Sequence, residues 1–185
     1  MRGEAPRDRS YFRAFYAIDF YWPAMISAVY FACPGIGNID RSKRNKAMNL
    51  LFVCASNSVR SQMAEGWARH LGDESINVRS AGMQPFKVHP MAIHIMKQVG
   101  IDISHHQSRR LDDRLLKWAD YVVTLSETVK PYSTYFPPDV KYDHWTIPNP
   151  DTLVSEEISQ EQAYAMIRDQ IKLRVERLLR TIKKK

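Results

Sequence analysis

The fold class is decided by residues 49–61, which have the sequence NLLFVCASNSVRS. The first five of these residues form a short apolar run, as expected of a strand buried in a parallel sheet. A helix is predicted from Ser61 to Leu71, ending at Gly72. Between the strand and the helix lies a loop from Cys54 to Arg60. This order predicts an α/β fold in which the loop stands at the carboxyl end of the strand, where open α/β sheets bind their ligands.

The chain beyond this helix continues to alternate strands and helices. Short apolar runs predict three further strands, at Ile76–Ala81, Tyr121–Leu125 and Val140–His144. Helical spacing, or Pro and Gly near the ends, predicts three further helices, at Pro90–Val99, Leu111–Ala119 and Glu156–Ile182. Strands that alternate with helices imply a parallel sheet covered by helices on both faces.

The composition is that of an ordinary soluble domain. With 185 residues the chain can bury a sizeable core, and 44% hydrophobic and 25% charged residues are typical of globular proteins. The net charge is +7, but residues 1–47 contain eight of the 27 Lys/Arg residues and four of the 20 Asp/Glu residues, so they carry +4 of it. The remainder is only mildly basic and has no long basic run with interleaved aromatic residues. We therefore expect no nucleic-acid partner.

The two cysteines, Cys33 and Cys54, are too few for a metal site of the Cys-x2-Cys kind or for a disulfide framework. We expect no metal ion and no cofactor. We also expect a cytoplasmic protein with reduced thiols.

Residues 1–47 are unlike the rest of the chain, and three hypotheses address them. A signal peptide or membrane anchor would need the apolar stretch 14–33 to cross a membrane with Asp19 near its middle, at a cost of about 2.5–3.5 kcal/mol. A lipoprotein signal at Cys33 would follow Tyr30-Phe31-Ala32, which is a poor match. We favour the third hypothesis, a non-native or disordered extension before a domain at residues 48–185, because a clean strand follows Met48 at once. No membrane partner is then expected.

The loop that begins at Cys54 suits a thiolate acting on a tetrahedral oxyanion. The amino end of the following helix favours negative charge on the sulfur, and successive loop amides can form an anion-binding nest. Arg60 can return over the loop and hold two oxygens in its planar fork, while Asn57 tolerates the left-handed conformation of a tight turn. The ordinary alternative is a buried structural cysteine at a strand end. The position of a Cys-x5-Arg spacing between strand and helix favours the catalytic hypothesis.

The loop and its surroundings resemble the low-molecular-weight protein tyrosine phosphatase family, which includes the thioredoxin-coupled arsenate reductases. The sequence CASNSVRS matches the pattern Cys-x-Gly-Asn-x-Cys-Arg-Ser at Cys54, Asn57, Arg60 and Ser61. Residues 62–68, QMAEGWA, are especially similar to the arsenate reductase branch. Three more segments fit the family: Ser80–Gly82, Gly100–Ser104 and Ala119–Leu125.

The resemblance covers residues 48 to about 180 and implies both a fold and a site. The implied fold is a three-layer sandwich with a four-stranded parallel sheet, of the phosphotyrosine protein phosphatase I type. The implied catalytic residues are Cys54, as the nucleophile, and Arg60. The implied oxyanion-binding residues are Ala55, Ser56, Asn57, Ser58, Val59, Arg60 and Ser61.

The chain departs from the family at the acid loop. The family places Asp-Pro where this chain has Asn149-Pro150, and an amide side chain has no proton to give. General acid catalysis is worth about 10²–10⁴ in rate, so hydrolysis of an aryl phosphate would suffer. Asp151, two residues later, is the candidate that replaces the acid as a third catalytic residue. The alternative is that Asp151 only caps a turn.

The chain also lacks the relay cysteines of the thioredoxin-coupled reductases. Ser126 and Ser133 stand near the positions of those two cysteines, and neither can form a disulfide. In the loop itself, Val59 replaces a second cysteine and Ser56 replaces a glycine. An internal cysteine relay is therefore not expected within the domain.

Three functions remain open. The favoured hypothesis is arsenate reduction, in which Cys54 attacks arsenate and an external small thiol such as glutathione is the reductant. The second is hydrolysis of phosphotyrosine or another phosphomonoester through a phosphocysteine intermediate. The third is oxyanion binding without turnover.

Overall fold

The computed structural model describes residues 47–183. Its centre is a sheet of four parallel strands in the order β2-β1-β3-β4. The strands are β1 (Met48–Cys54), β2 (Ile76–Gly82), β3 (Tyr121–Thr124) and β4 (Lys141–His144). The predicted four-stranded parallel sheet is therefore confirmed. The hypotheses for residues 1–47 concern a segment that, except for Ala47, lies outside the described residues.

In the described part of the chain, four α-helices connect and cover the strands. They are α1 (Arg60–Leu71), α2 (Pro90–Lys97), α3 (Asp113–Trp118) and α4 (Gln160–Lys183). All four predicted helices are confirmed, with ends that differ by at most four residues. Within residues 47–183, two short 3₁₀ helices were not predicted, at Lys130–Tyr135 and Pro150–Leu153. Each spans only one or two turns, which is too short for a periodic pattern.

Side-chain caps explain where two helices begin later than predicted. Before α3, the Asp112 carboxylate accepts a hydrogen bond from the Leu115 amide at 2.8 Å. Before α4, Ser159 and Gln162 bond reciprocally, since the Gln162 amide donates to Ser159 Oγ at 3.2 Å and the Ser159 amide donates to Gln162 Oε1 at 2.8 Å. This is a capping box, and it makes Gln160 rather than Glu156 the first helical residue.

The central strands β1 and β3 are buried on both faces of the sheet, which gives three layers, whereas the edge strand β4 is largely exposed. Alternate residues of β1 point to opposite sides: Phe52 packs in the core formed by α1, α2 and α4, and Val53 packs in the core that includes α3. The long helix α4 buries the apolar stripe predicted for it, including Ile167, Ile171 and Val175. No helix within residues 47–183 is both long and apolar enough to cross a membrane.

The register of the strands brings their carboxyl ends together. Cys54 lies opposite Gly82 in β2, and Val53 lies opposite Thr124 in β3. Thr124 in turn lies opposite His144, the last residue of β4. The segments that follow all four strands therefore meet at one edge of the sheet, around the Cys54 loop.

Candidate active site

The backbone carbonyls of the Cys54 loop are bonded outward to the segment that follows β2. Three hydrogen bonds hold them: from the Gln84 amide to the Ala55 oxygen at 3.0 Å, from the Phe86 amide to the Ser56 oxygen at 2.9 Å, and from the His89 amide to the Ser58 oxygen at 3.0 Å. Since these carbonyls point away from the loop centre, the partial negative charges of the loop are turned outward.

The backbone amides of the loop are left for a ligand. Within residues 47–183, no amide from Ala55 to Arg60 donates to a backbone carbonyl. The amino end of α1 opens on the same space, and no side chain caps it at Val59. Unpaired amides at a helix N-terminus are a site for an anion. The sequence predicts an oxyanion nest at Ala55–Ser61, and these unpaired amides are the donors that such a nest would use.

Asn57 fixes the shape of the loop. Its φ of 47° places it in the left-handed region, as the sequence predicted. Its side-chain Nδ2 donates to Ser61 Oγ at 2.9 Å and to Ser80 Oγ at 2.8 Å, and its Oδ1 accepts from the Arg109 amide at 2.7 Å. Asn57 is fully buried, so these bonds satisfy the amide group and hold the turn rigidly.

Gly82 lets the loop press against β2. A Cβ atom at this position would lie 2.5 Å from the Asn57 nitrogen and 2.8 Å from the Ser56 carbonyl carbon. Both neighbours are backbone atoms that cannot move without changing the loop. The close approach between the Cys54 loop and the end of β2 therefore requires a glycine at position 82.

The Cys54 sulfur is buried and lies 2.9 Å from Ser61 Oγ. Either atom of this contact can be the donor, and the neighbouring hydrogen bonds show which other bonds the hydroxyl makes. The Glu65 carboxylate can only accept, so Ser80 donates to it at 2.6 Å, and both serine oxygens accept from Asn57 Nδ2. The proton of Ser61 is therefore available to donate to the sulfur, which stabilises negative charge there.

Arg60 is the first residue of α1. Its Nη1 donates to the Ile147 oxygen at 2.9 Å and approaches the Leu125 oxygen at 3.5 Å, which anchors the guanidinium to the segments after β4 and β3. In the described part of the chain no hydrogen bond involves Nε or Nη2. Those donors can hold two oxygens of a tetrahedral anion, in the role predicted for this residue.

Asp151 was predicted either to replace the missing acid or to cap a turn, and its contacts confirm neither role. Asn149 is exposed and precedes the 3₁₀ helix at Pro150–Leu153, and its side chain does not cap that helix. Asp151 Oδ1 accepts a hydrogen bond from the Tyr164 hydroxyl at 2.9 Å. Asp151 thus bonds to a helix α4 side chain. Burial, followed by this hydrogen bond, raises the pKa of Tyr164.

The two serines at the relay positions have ordinary polar contacts. Ser126 is buried and lies 3.1 Å from the Thr128 hydroxyl, and Ser133 donates to the Lys130 oxygen at 2.8 Å. Among the described residues, Cys54 is the only free cysteine. The geometry offers no internal partner for an oxidised Cys54 in this part of the chain.

Several residues that pack beside the Cys54 loop and stabilise it were not predicted from the sequence. Glu65 is 2% exposed and pairs with Arg69 at 2.7 Å. Gln62 donates to the Asn57 carbonyl oxygen at 3.1 Å, and its Oε1 lies 2.9 Å from His106 Nδ1. The sequence did contain a signal for these residues. Gln62 and Glu65 are polar, yet both lie on the buried side of an amphipathic helix. Tyr164 gave no such signal, because an aromatic residue at helical spacing is ordinary core.

Residues 49–185 match the model of the family described as low molecular weight phosphotyrosine protein phosphatase. The arsenate reductase of Staphylococcus xylosus is 44% identical over 127 residues, covering 69% of this chain and 92% of that protein.

Two solved structures share the fold. One, described as an arsenate reductase in the phosphate binding state, is 35% identical with a TM-score of 0.59 and covers 73% of this chain and 98% of its own. The other is a low molecular weight protein tyrosine phosphatase from T. tengcongensis, 25% identical with a TM-score of 0.63, covering 73% of this chain and 99% of its own. These similarities confirm the resemblance and the fold predicted from the sequence.

Proposed function

The chain belongs to the low molecular weight phosphotyrosine protein phosphatase family, and from that premise we propose that it is an arsenate reductase in which Cys54 is the nucleophile. The observation that carries the proposal is the Cys54–Ser61 contact inside a loop whose amides are free to bind an anion. The 44% identity to the arsenate reductase of Staphylococcus xylosus supports it. The activity is assigned to the domain at residues 48–185.

The proposed reaction begins with arsenate in the nest formed by Ala55–Ser61 and Arg60. The Cys54 thiolate attacks arsenic, a sulfur–arsenic bond forms, and one arsenate oxygen leaves as water after taking up protons. Loop amides and the Arg60 guanidinium stabilise the negative charge on the remaining oxygens. The product is a thiol–arsenate adduct on Cys54.

An external small thiol completes the reduction. Its thiolate attacks the Cys54 sulfur, the sulfur–arsenic bond breaks, and the electron pair passes to arsenic, which leaves as arsenite. A second thiol then reduces the mixed disulfide and restores Cys54. Two thiols are oxidised for each arsenate reduced. Glutathione is the proposed reductant because Ser126 and Ser133 provide no sulfur for an internal relay. A cytoplasmic location, where such thiols are reduced, is part of this proposal.

The first experiment measures arsenate reduction by the full chain with glutathione and glutaredoxin, and separately with thioredoxin. We expect activity with the small thiol. Cys54→Ser should abolish it, and Cys33→Ser should leave it unchanged. Full activity in Cys54→Ser would refute the proposal. Arsenate binding without turnover under both conditions would favour the third hypothesis, a non-catalytic oxyanion-binding protein.

A second candidate function is hydrolysis of phosphotyrosine or another phosphomonoester. The observation that favours it is the Asp151 carboxylate, which is held by Tyr164 on the acid-loop segment and supplies a group that can carry a proton. Hydrolysis would pass through a phosphocysteine at Cys54. Assay of p-nitrophenyl phosphate with wild type and Asp151→Ala tests this function directly. Hydrolysis that is lost in the variant would support it, and no hydrolysis by wild type would exclude it.

A further inference from the structure

Glu127 ties the segment that follows β3 to the segment that follows β4. Its Oε1 accepts a hydrogen bond from the Thr146 hydroxyl at 2.9 Å and lies 2.8 Å from His144 Nε2. The bond with His144, followed by the bond with Thr146, lowers the pKa of Glu127, so its side chain is an ionised carboxylate at neutral pH. A carboxylate can only accept, and His144 Nε2 is therefore the donor of its bond.

His144 anchors this carboxylate to the sheet. It is the last residue of β4, and its side chain is only 11% exposed. Its Nδ1 lies 2.8 Å from the hydroxyl oxygen of Thr124, which is the last residue of β3 and is fully buried. The imidazole ring is thus held between a buried hydroxyl and the Glu127 carboxylate, which fixes a surface side chain to the ends of two strands.

Arg60 completes a ring of contacts with this carboxylate. Its Nη1 donates at 2.9 Å to the oxygen of Ile147, the residue that follows Thr146. The same nitrogen approaches, at 3.5 Å, the oxygen of Leu125, two residues before Glu127. Leu125 and Ile147 are both buried. The two carbonyls that anchor the guanidinium therefore belong to the two segments that Glu127 holds together.

The position of the Ile147 carbonyl decides how the rest of the guanidinium is presented. The planar fork of an arginine holds two oxygens of an anion only when its plane is correctly oriented. Because Nη1 of Arg60 is bonded to this carbonyl, a shift of the carbonyl turns Nε and Nη2 as well. The bond between Thr146 and Glu127 is next to the carbonyl in the chain, so it restricts such a shift before the anion arrives.

We propose that Glu127 is a positioning residue for Arg60. It acts through Thr146 and His144, and it sets how tightly the Cys54 loop binds a tetrahedral oxyanion. The inference rests on the proposed function, because it takes this loop as the site of arsenate. Inorganic phosphate has the same shape and charge as arsenate and is not reduced, so it measures the binding step alone.

The alternative is that Glu127 is only a structural tie at the surface. Loss of such a tie lowers the stability of the fold without a specific effect on the anion. Loss of a positioning residue weakens the binding of the anion but leaves the reactivity of the Cys54 sulfur unchanged, because the contact between Cys54 and Ser61 is outside the ring. The two roles are therefore separated by comparing anion affinity with thiol reactivity.

The first measurement is the dissociation constant of inorganic phosphate, by titration calorimetry on the full chain. A hydrogen bond to a charged group is worth about 10- to 100-fold in affinity, and a misoriented guanidinium loses part of it. We expect Glu127→Ala to raise the dissociation constant by about 5- to 50-fold. Glu156→Ala removes an exposed carboxylate from the segment before α4 and should change it by less than about twofold.

Two substitutions of Thr146 form a matched pair. Thr146→Val removes the hydroxyl that donates to Glu127 and should weaken phosphate binding in the same direction as Glu127→Ala. Thr146→Ser keeps a hydroxyl and should restore most of the affinity. The rate at which iodoacetamide alkylates Cys54 in the absence of any anion should stay within about twofold of wild type in all these variants.

A double variant tests whether the effect passes through Arg60. In Arg60→Lys, a single amine cannot both bond to Ile147 and hold two oxygens of the anion. Addition of Glu127→Ala to this variant should therefore weaken phosphate binding by less than about twofold further, since the two changes remove the same interaction. Effects that multiply would show that Glu127 acts independently of Arg60, and would overturn the inference.

The inference also fails if Glu127→Ala binds phosphate as wild type does, or if alkylation of Cys54 slows in parallel with the loss of affinity. Arsenate reduction is measured on the same preparations. Reduction that depends on Cys54 but is unaffected by Glu127→Ala would overturn the inference and leave the proposed function intact. Full reduction by Cys54→Ser would remove the proposed function, whereas absence of phosphate binding in the wild type would overturn the inference whatever the reduction assay shows.

Discussion

The Cys54 sulfur lies 2.9 Å from the hydroxyl oxygen of Ser61, seven residues later at the start of α1. Both residues are almost fully buried, so neither atom is exposed to solvent. Asn57 Nδ2 donates to the same oxygen, and a thiolate at Cys54 has no proton of its own, so in that state the Ser61 hydroxyl is the donor of this contact. This contact therefore supplies the sulfur with a hydrogen bond when it is negatively charged.

Removal of this hydroxyl should slow every reaction of the thiolate. A hydrogen bond to a charged group is worth about 1.5–3 kcal/mol, which corresponds to about 10- to 100-fold in rate. We expect Ser61→Ala to lower both kcat for arsenate and the rate of alkylation of Cys54 by iodoacetamide at fixed pH. Ser75→Ala, in the exposed turn before β2, is the matched control. Unchanged alkylation in Ser61→Ala would show that the hydroxyl does not donate to the sulfur.

Glu65→Gln should destabilise the fold, because it weakens hydrogen bonds that support the Cys54 loop. The carboxylate accepts from both Ser80 and Arg69, whereas an amide would turn a donor toward one of them. We expect the free energy of unfolding in urea to fall by about 1–3 kcal/mol. Glu74→Gln changes an exposed glutamate before β2 and should change it by less than about 0.5 kcal/mol. Equal stability of the two variants would contradict the role assigned to Glu65.

The fold was predictable because its signals are local. β1 is an apolar run, and α4 repeats its apolar residues at helical spacing, so the sheet and its covering helices followed from residue patterns. The nucleophile and the loop were also predictable, since Cys54, Asn57 and Arg60 are all in one segment of seven residues. The left-handed backbone conformation of Asn57 was predicted from its residue type alone.

The contacts that complete the site were not predictable, because they join residues far apart in the chain. Ser80 reaches Asn57 across 23 positions, and Tyr164 reaches Asp151 from another helix. Asp151 was expected either to act as an acid or to cap a turn, and no periodicity or spacing indicates a bond to α4. Such contacts depend on the three-dimensional packing of elements, which single-residue patterns do not encode.

His106 should make stability depend on pH. Burial lowers its pKa below the ordinary 6.5, with Glu65 opposing and His105, Arg69 and Arg109 adding to the effect. As pH falls, the unfolded chain takes up this proton first. The contribution of neutral His106 to stability is therefore full above about pH 6.5 and is lost as the pH falls through the lowered value.

Urea unfolding at a series of pH values measures this effect. We expect wild type to lose more stability than His106→Gln between about pH 7.5 and about pH 5. His70→Gln, which changes an exposed histidine at the end of α1, should follow the wild type. Parallel curves for wild type and His106→Gln would contradict the assignment.

Cys54 should be trapped as a mixed disulfide during turnover. Among the described residues it has no cysteine partner, and the serines at positions 126 and 133 have no sulfur to attack it. When arsenite leaves, the thiol that displaced it must therefore remain on Cys54 until a second thiol arrives. We expect mass spectrometry of acid-quenched full chain, after reaction with arsenate and a limiting amount of glutathione, to find glutathione on Cys54. Cys33→Ser should give the same adduct. A Cys33–Cys54 disulfide in the wild type would show instead that the residues before the domain supply the second thiol.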